Sequence, residues 1–236
     1  MRRYPTGLAL AAAIAATLAS CLPAATSSQA AAPPLIRVMP LGDSITAGLG
    51  STTEAGYRLP LWNRIAGQSR YRVDFVGSQH DGAVPDADHE GHRGWFINQI
   101  RANIDTWHAT AQPATIILHI GINDLAWGAD PTAAAAETVE LVNRIYALNP
   151  NGIVILLGLI PTSGDPALRS KAAAYNAQIR YVSQRRFYYM DAPALTSAEM
   201  ADELHPNDAG YQRIGDALYT VLNRAEISRL LAGRTP

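Results

Sequence analysis

Near the C-terminal end of the chain, Asp202-Glu203-Leu204-His205-Pro206 sets a carboxylate three residues before an imidazole. On a turn, that spacing lets the carboxylate hold one ring nitrogen and leaves the other able to take a proton from a hydroxyl. A hydroxyl suited to donate it stands far upstream, in Gly42-Asp43-Ser44-Ile45-Thr46. Two further blocks offer donors to a developing negative charge. Gly121-Ile122-Asn123-Asp124 has a side-chain amide and an aspartate to brace the loop. In His89-Glu90-Gly91-His92-Arg93-Gly94-Trp95, glycine permits close backbone approach and frees an amide. Nucleophile, base with orienter, and oxyanion donors are the parts of acyl transfer through a serine.

Each block has a plainer reading when taken singly. Asp43-Ser44 matches a helix N-cap, the second block a turn before a helix, Asn123-Asp124 an Asx turn, and Asp202 with His205 a surface pair. What favours the joint reading is where the blocks fall among the elements that must carry them.

Five short apolar runs read as strands buried on both faces: residues 36–41, 73–77, 115–121, 153–160 and 187–191. Between them, Ile97, Ile100, Ile104 and Trp107 share one helical face. Val139, Val142, Ile145 and Tyr146 share another, in a helix that Pro131 can open, and Tyr211, Ile214, Leu218 and Leu222 a third, after Asn207 or Asp208 as N-cap. Strands alternating with helices predict a parallel sheet covered on both faces and joined by right-handed crossovers. The fold class is therefore α/β: a three-layer α/β/α doubly wound, flavodoxin-like domain with a five-stranded parallel sheet. Ligands of such a sheet sit beyond the carboxyl ends of its strands. Each of the four blocks follows a predicted strand or precedes the last helix. Residues 78–94 form the longest irregular stretch, longer than ordinary connections, and are expected to carry function.

The chain's 236 residues suit one domain, and 48% hydrophobic with 17% charged residues gives enough apolar material for a core and excludes disorder. A net charge of −1 argues against nucleic-acid partners and against a basic membrane-surface protein. Cys21 is the single cysteine, which excludes an internal disulfide and a cysteine metal site. Residues 1–30 read as a secretory leader: Arg2 and Arg3 precede an uncharged Ala/Leu-rich stretch, and Ser28-Gln29-Ala30 suits cleavage before Ala31. The apolar run is shorter than a bilayer span, so no stable membrane insertion is expected after leader removal. Residues 31–236 then form a catalytic domain working outside the cytoplasm, expected as a monomer. Leu18-Ala19-Ser20-Cys21 also resembles a lipobox, and the alternative is a lipid-anchored lipoprotein through Cys21.

Taken together, the Ser44 block, a glycine in the second block, Gly121-Ile122-Asn123-Asp124 and Asp202-Glu203-Leu204-His205-Pro206 resemble the blocks of the SGNH (GDSL-type) hydrolase family, from about Leu41 to Pro206. The second block is similar to that of the family 3 carbohydrate esterases, which remove acetyl groups from xylan. The resemblance implies Ser44 as nucleophile, His205 as general base and Asp202 as its orienter. It implies an oxyanion hole of the Ser44 amide, the Gly94 amide and the Asn123 side chain, with Gly91 the other glycine available. The implied substrate is an acetylated polysaccharide or small ester, with no metal or organic cofactor. A secreted lipolytic or general carboxylesterase of the same family is the alternative, although no long apolar lid is visible.

Asp43, Trp95 and Trp127 are candidate substrate contacts, the tryptophans because their rings can stack on a sugar face. Trp62 and Trp107 lie on helical faces and are expected in the core. His80, His89 and His92 share residues 78–94 with Asp81, Asp86, Asp88 and Glu90. That cluster admits a calcium site or a solvated acidic loop, and the second is favoured. His108 is expected at the surface and His119 as a core histidine with its polar atoms satisfied. A metal-dependent phosphoesterase would need a cage of ligands at several strand ends, and Pro40-Leu41-Gly42-Asp43-Ser44 lacks an Asp-x-His pair. A non-catalytic carbohydrate-binding protein would not need the full set of catalytic residue types.

Overall fold

The computed structural model of the chain describes Met1, residues 32–161 and residues 164–233. The rest of the expected leader, both candidate cleavage points and Cys21 lie outside the described residues. From Pro33 onward the described residues belong to one compact unit. In chain order its elements are β1 (Leu35–Gly42), α1 (Ser44–Ala47), α2 (Arg58–Ala66), β2 (Arg72–Phe75), β3 (Gln79–His80), β4 (Asp88–Gly91), α3 (Ile97–Ala111), β5 (Thr115–His119), α4 (Ile122–Ala126), α5 (Pro131–Leu148), β6 (Ile153–Leu157), α6 (Pro166–Ile179), β7 (Phe187–Met190), a 3₁₀ turn (Ser197–Glu199) and α7 (Asp208–Ala232).

The strands form one sheet in the order β3-β4-β1-β5-β6-β7, with β2 also paired to β1. Alternate residues of the central strands enter opposite cores. Met39, Leu41, Ile116, Leu118, Val154 and Leu156 pack with α3, α5 and α6, whereas Ile36, Val38, Ile117, Ile153, Ile155 and Leu157 pack with α2 and α7. This is the expected three-layer doubly wound α/β/α domain, buried on both faces of the sheet. Proline and polar caps open the long helices: Asp130 accepts from Thr132 and Ala133 ahead of Pro131, and Asn207 accepts from Ala209 and Gly210 at the start of α7.

The sheet has seven strands, not five. On one edge of β1, β2 pairs with residues Leu35–Val38, and β4 pairs with Leu41 and Gly42 further along. The chain leaves the sheet after Phe75, turns back through β3, which runs antiparallel to β4, and re-enters beside the carboxyl end of β1. Residues 78–94 thus include two strands, β3 and β4, with an irregular stretch between them. They were unreadable as strands because Asp88-His89-Glu90-Gly91 has no apolar residue, yet three of the four are buried. In α5, Val139 is half-buried, and the inward positions are Thr138 and Leu141. Thr138 tolerates burial because its hydroxyl meets Tyr175 Oη at 2.7 Å and donates to the Ala134 carbonyl. The apolar spacing of α6 (Leu168, Ala172, Tyr175, Ile179) is helical but weak, whereas α2 offers only Pro60, Leu61 and Ile65 inside beside Arg58.

Arg58 is fully buried, and each of its five N–H groups has a carbonyl. Nε donates to Thr46, Nη1 to Asp81 and Ala87, and Nη2 to Ala47 and Glu54, all at 3.0–3.2 Å. The guanidinium thus joins α1, the segment between α1 and α2, and the β3–β4 excursion. Lysine carries the same charge but three donors without the planar fork. Arg58→Lys is therefore expected to lower unfolding stability by about 2–4 kcal/mol, the range for leaving buried partners unpaired. Urea titration checks this, and wild-type stability would mean the carbonyls find other partners.

Candidate active site

Ser44 opens α1 directly after β1, so the sheet delivers its side chain to the carboxyl edge. Asp43 is the N-cap: its backbone is extended, and its carboxylate accepts from the Ile45 amide at 3.0 Å. Ser44 Oγ lies 3.0 Å from His205 Nε2. His205 Nδ1 faces Asp202, at 3.0 Å from Oδ1 and 2.8 Å from Oδ2. The same Oδ1 accepts from the amides of Leu204 and His205 at 2.8 and 2.7 Å. Burial pushes the Asp202 carboxyl up, but these amides and the imidazole outweigh it and hold it below the ordinary range. With Nδ1 donating to the carboxylate, Nε2 is left to accept from the serine hydroxyl.

The loop bearing Asp202 and His205 is pinned from several sides. Ala201 N donates to the His205 carbonyl at 2.8 Å, and Met200 bridges to Pro206. Asp208 accepts from the Thr52 amide and hydroxyl at 2.9 and 2.6 Å, and Tyr211 Oη donates to the Leu49 carbonyl at 2.6 Å. These bonds tie the histidine loop to the segment that follows Ser44.

The candidate oxyanion donors converge from two more strand ends. Gly94 sits at φ +77°, a left-handed conformation suited to glycine, with open space where a Cβ would point. Its amide and that of Ser44 have no protein partner among the described residues. The amide of Gly91 is already donated to His89 Nδ1 at 3.0 Å, and Gly91 is buried in β4. Gly94, not Gly91, therefore keeps a free amide. Asn123 Nδ2 donates one hydrogen to the Trp95 carbonyl at 2.9 Å and retains a second. Asp124 braces this loop by accepting from the Ile97 amide at 3.3 and 3.4 Å.

Other expectations meet different outcomes. Asp43 is fully buried beneath the serine turn, out of reach of a substrate. Trp95 is half-buried, with its ring stacked on His92. Trp127, at the end of α4, is 82% exposed. Trp62 and Trp107 are half-buried and pack against the cores. His119 is fully buried, but neither ring nitrogen has a hydrogen bond, and Asp43 Oδ1 lies 3.8 Å from Nδ1. The ends of β1 and β5 are crowded here: a Cβ on Gly42 would lie 2.0 Å from the His119 carbonyl oxygen. His108 is half-buried with Nε2 unpartnered, and burial lowers its pKa.

The acidic segment is exposed or half-exposed from 78 to 88 and buried only at 89–91. Its carboxylates pair internally: His80 Nδ1 with Asp88 at 2.5 Å, His89 Nε2 with Asp81 at 3.0 Å, and His92 Nε2 with Glu90 at 2.6 Å. Asp86 accepts from the Phe75 amide at 2.6 Å. Among the described residues, no group of three His, Cys, Asp or Glu side chains converges as a metal site. The signal sequence reasoning missed is Arg58, which no spacing marks. A cavity of about 680 Å³, lined by Pro34, Arg70, Ala114, Asn151, Arg186 and Arg229 among others, lies at the amino ends of the strands and touches none of the candidate residues.

A serine bonded to an aspartate-held histidine, at the carboxyl edge of a doubly wound sheet, defines a hydrolase class. The profile of the GDSL-like Lipase/Acylhydrolase family matches residues 41–213, and the chain belongs to that family of carboxylic ester hydrolases. A family 3 carbohydrate esterase of Clostridium thermocellum is 29% identical, with a TM-score of 0.71 over 83% of this chain and 99% of that one. A second, from Talaromyces cellulolyticus, is 28% identical with a TM-score of 0.68, covering 80% and 97%. A multidomain esterase of Ruminococcus flavefaciens is 28% identical over 229 residues. That match covers 83% of this chain, which spans 29% of the length of that relative.

Two groups beside the site, fully buried His89 and half-buried Asp124, titrate in opposite senses. Burial, with the Arg58 charge adding to it, lowers the His89 pKa from 6.5 to about 4. The unfolded chain therefore binds this proton first, so the contribution of His89 is complete above about pH 6.5 and is lost as the pH falls towards 4. Burial raises the Asp124 pKa from 3.8 to about 6. The folded state binds that proton first, so acidification from about 6 to 4 returns stability. The wild type alone therefore shows little net change from this pair, and His89→Gln separates them. The stability gap between wild type and His89→Gln should narrow by about 2–3 kcal/mol from pH 7 to 4.5. Urea unfolding at both pH values checks it, and a gap independent of pH would contradict the assignment.

Proposed function

We propose that this protein is a secreted serine esterase that removes acyl groups, and specifically acetyl groups, from carbohydrate esters such as acetylated xylan. The observation that carries the reading is the 3.0 Å contact of Ser44 Oγ with His205 Nε2, the far nitrogen of that ring being held by Asp202. Its carbohydrate side is supported by the likeness to family 3 carbohydrate esterases over four-fifths of the chain.

In this mechanism Ser44 Oγ attacks the ester carbonyl as His205 Nε2 takes the hydroxyl proton. The tetrahedral oxyanion is held by the Ser44 amide, the Gly94 amide and the free hydrogen on Asn123 Nδ2. Collapse breaks the bond to the sugar oxygen, which leaves with the proton from His205. Water, activated by the same imidazole, then releases acetate from Ser44. Asp202 steadies the imidazolium throughout. The exposed ring of Trp127 offers a face for a sugar, with Trp95 at the rim. Export through the leader gives such an enzyme access to polymer that cannot enter a cell.

Acetate release from acetylated xylan, run beside p-nitrophenyl esters of two to twelve carbons, tests the reading. Release from xylan with a preference for acetyl is expected, and cleavage of only the longer esters would remove the carbohydrate assignment. Ser44→Ala and His205→Ala should each lower kcat by about 10³-fold or more with the fold retained by circular dichroism, and Asp202→Asn should lower it less.

A further inference from the structure

Strand β4 carries a buried acid that the mechanism does not use. Glu90 is fully buried, and both of its oxygens are occupied. Oε2 accepts from the Ser78 amide at 2.7 Å, and Oε1 accepts from the Ser78 hydroxyl at 2.6 Å and lies 2.6 Å from His92 Nε2. A buried carboxylate is tolerated only when its partners are complete, so the His92 ring is held as a donor in one orientation. That ring also packs against two indoles, Trp95 at 4.1 Å and 22° and Trp107 at 4.8 Å and 11°, whose own centroids lie 5.9 Å apart.

The backbone of His92 fixes the rest. Its amide donates to the Gly42 carbonyl at 2.9 Å, which references the segment to the strand that ends in Ser44. Its carbonyl accepts from the Trp95 amide at 3.2 Å, closing a four-residue turn with Gly94 in third place. The Trp95 carbonyl in turn accepts from Asn123 Nδ2. Two of the three candidate oxyanion donors therefore hang on one turn, and one side chain clamps that turn.

We infer that His92, oriented by buried Glu90 and packed against Trp95 and Trp107, is a positioning residue that sets the Gly94 amide and the Asn123 side chain relative to Ser44. This rests on the serine esterase reading above. It requires that loosening His92 weaken transition-state stabilisation more than substrate binding, because the donors meet the oxyanion and not the ground-state ester.

His92→Phe keeps the aromatic stack but removes the donor to Glu90. Sites are counted by titration with a fluorophosphonate that labels the nucleophilic serine, and turnover of p-nitrophenyl acetate is expressed per labelled site. We expect kcat per site to fall about 10- to 100-fold while KM stays within about threefold. A merely structural role would lower the number of labelled sites and leave kcat per site unchanged, and that result overturns the inference. If His92→Phe does not fold, Trp107→Leu removes one of the two indole contacts on the His92 ring. It should lower kcat per site about 3- to 10-fold, and a wild-type value there overturns the inference equally. Ser44→Ala separates the two claims. If it still turns over, the serine reading falls; if it is dead while both stack variants match wild type per site, only the role of His92 falls.

Discussion

A positive charge surrounded by five carbonyl oxygens is the constraint on which the active-site face depends. Arg58 has exchanged water for backbone dipoles, and three segments that share no strand or helix are joined through it. One holds the turn that begins with Ser44, one links α1 to α2, and one is the excursion between β2 and β4. None of these could close alone, because each would bury carbonyls without donors. His89 feels the same charge, which adds to burial in keeping its ring neutral. That neutrality allows Nδ1 to accept from the Gly91 amide while Nε2 faces Asp81.

The second organising feature is the division of one edge of β1 between two strands. β2 supports its amino half and β4 its carboxyl half, so the segment that follows β4 emerges beside the residue that precedes the nucleophile. An uninterrupted β2 would have carried the chain past this point and placed its following loop elsewhere. Pairing of Gly42 with Gly91 sets the distance between the serine turn and the turn at Gly94 through main-chain bonds, which are less compliant than side-chain contacts.

Proton transfer and oxyanion stabilisation are assigned to separate supports. Ser44, just after β1, meets His205 in the loop before α7, which Asp208 and Tyr211 pin to the segment after Ser44. Besides the Ser44 amide, the candidate oxyanion donors come from the β4–α3 and β5–α4 turns, joined through the Trp95 carbonyl and Asn123. The two supports share β1 and little else. Acids withdrawn from water recur in both: buried Asp43 caps a helix, buried Glu90 meets three donors, and half-buried Asp124 has a raised pKa and accepts from the Ile97 amide.

The sequence by itself determined the layer order, the five central strands and the positions of Ser44, Asn123, Asp202 and His205. Those features are written in local period and in residues adjacent to strand ends. A continuous apolar run marks a strand buried on both faces, proline and asparagine mark helix starts, and a doubly wound sheet has one edge for its ligands. Only the tertiary structure decided what residues 78–94 are, which glycine keeps a free amide, that Asp43 is sealed from substrate, and that His119 is buried without partners. In each case a polar group is buried or engaged by atoms distant in sequence. Glu90 needs Ser78 and His92, Arg58 needs five carbonyls from three segments, and Gly91 loses its amide to His89. Composition and period report the solvent preference of a side chain, whereas burial of these groups depends on partners that exist only once the chain has closed on itself.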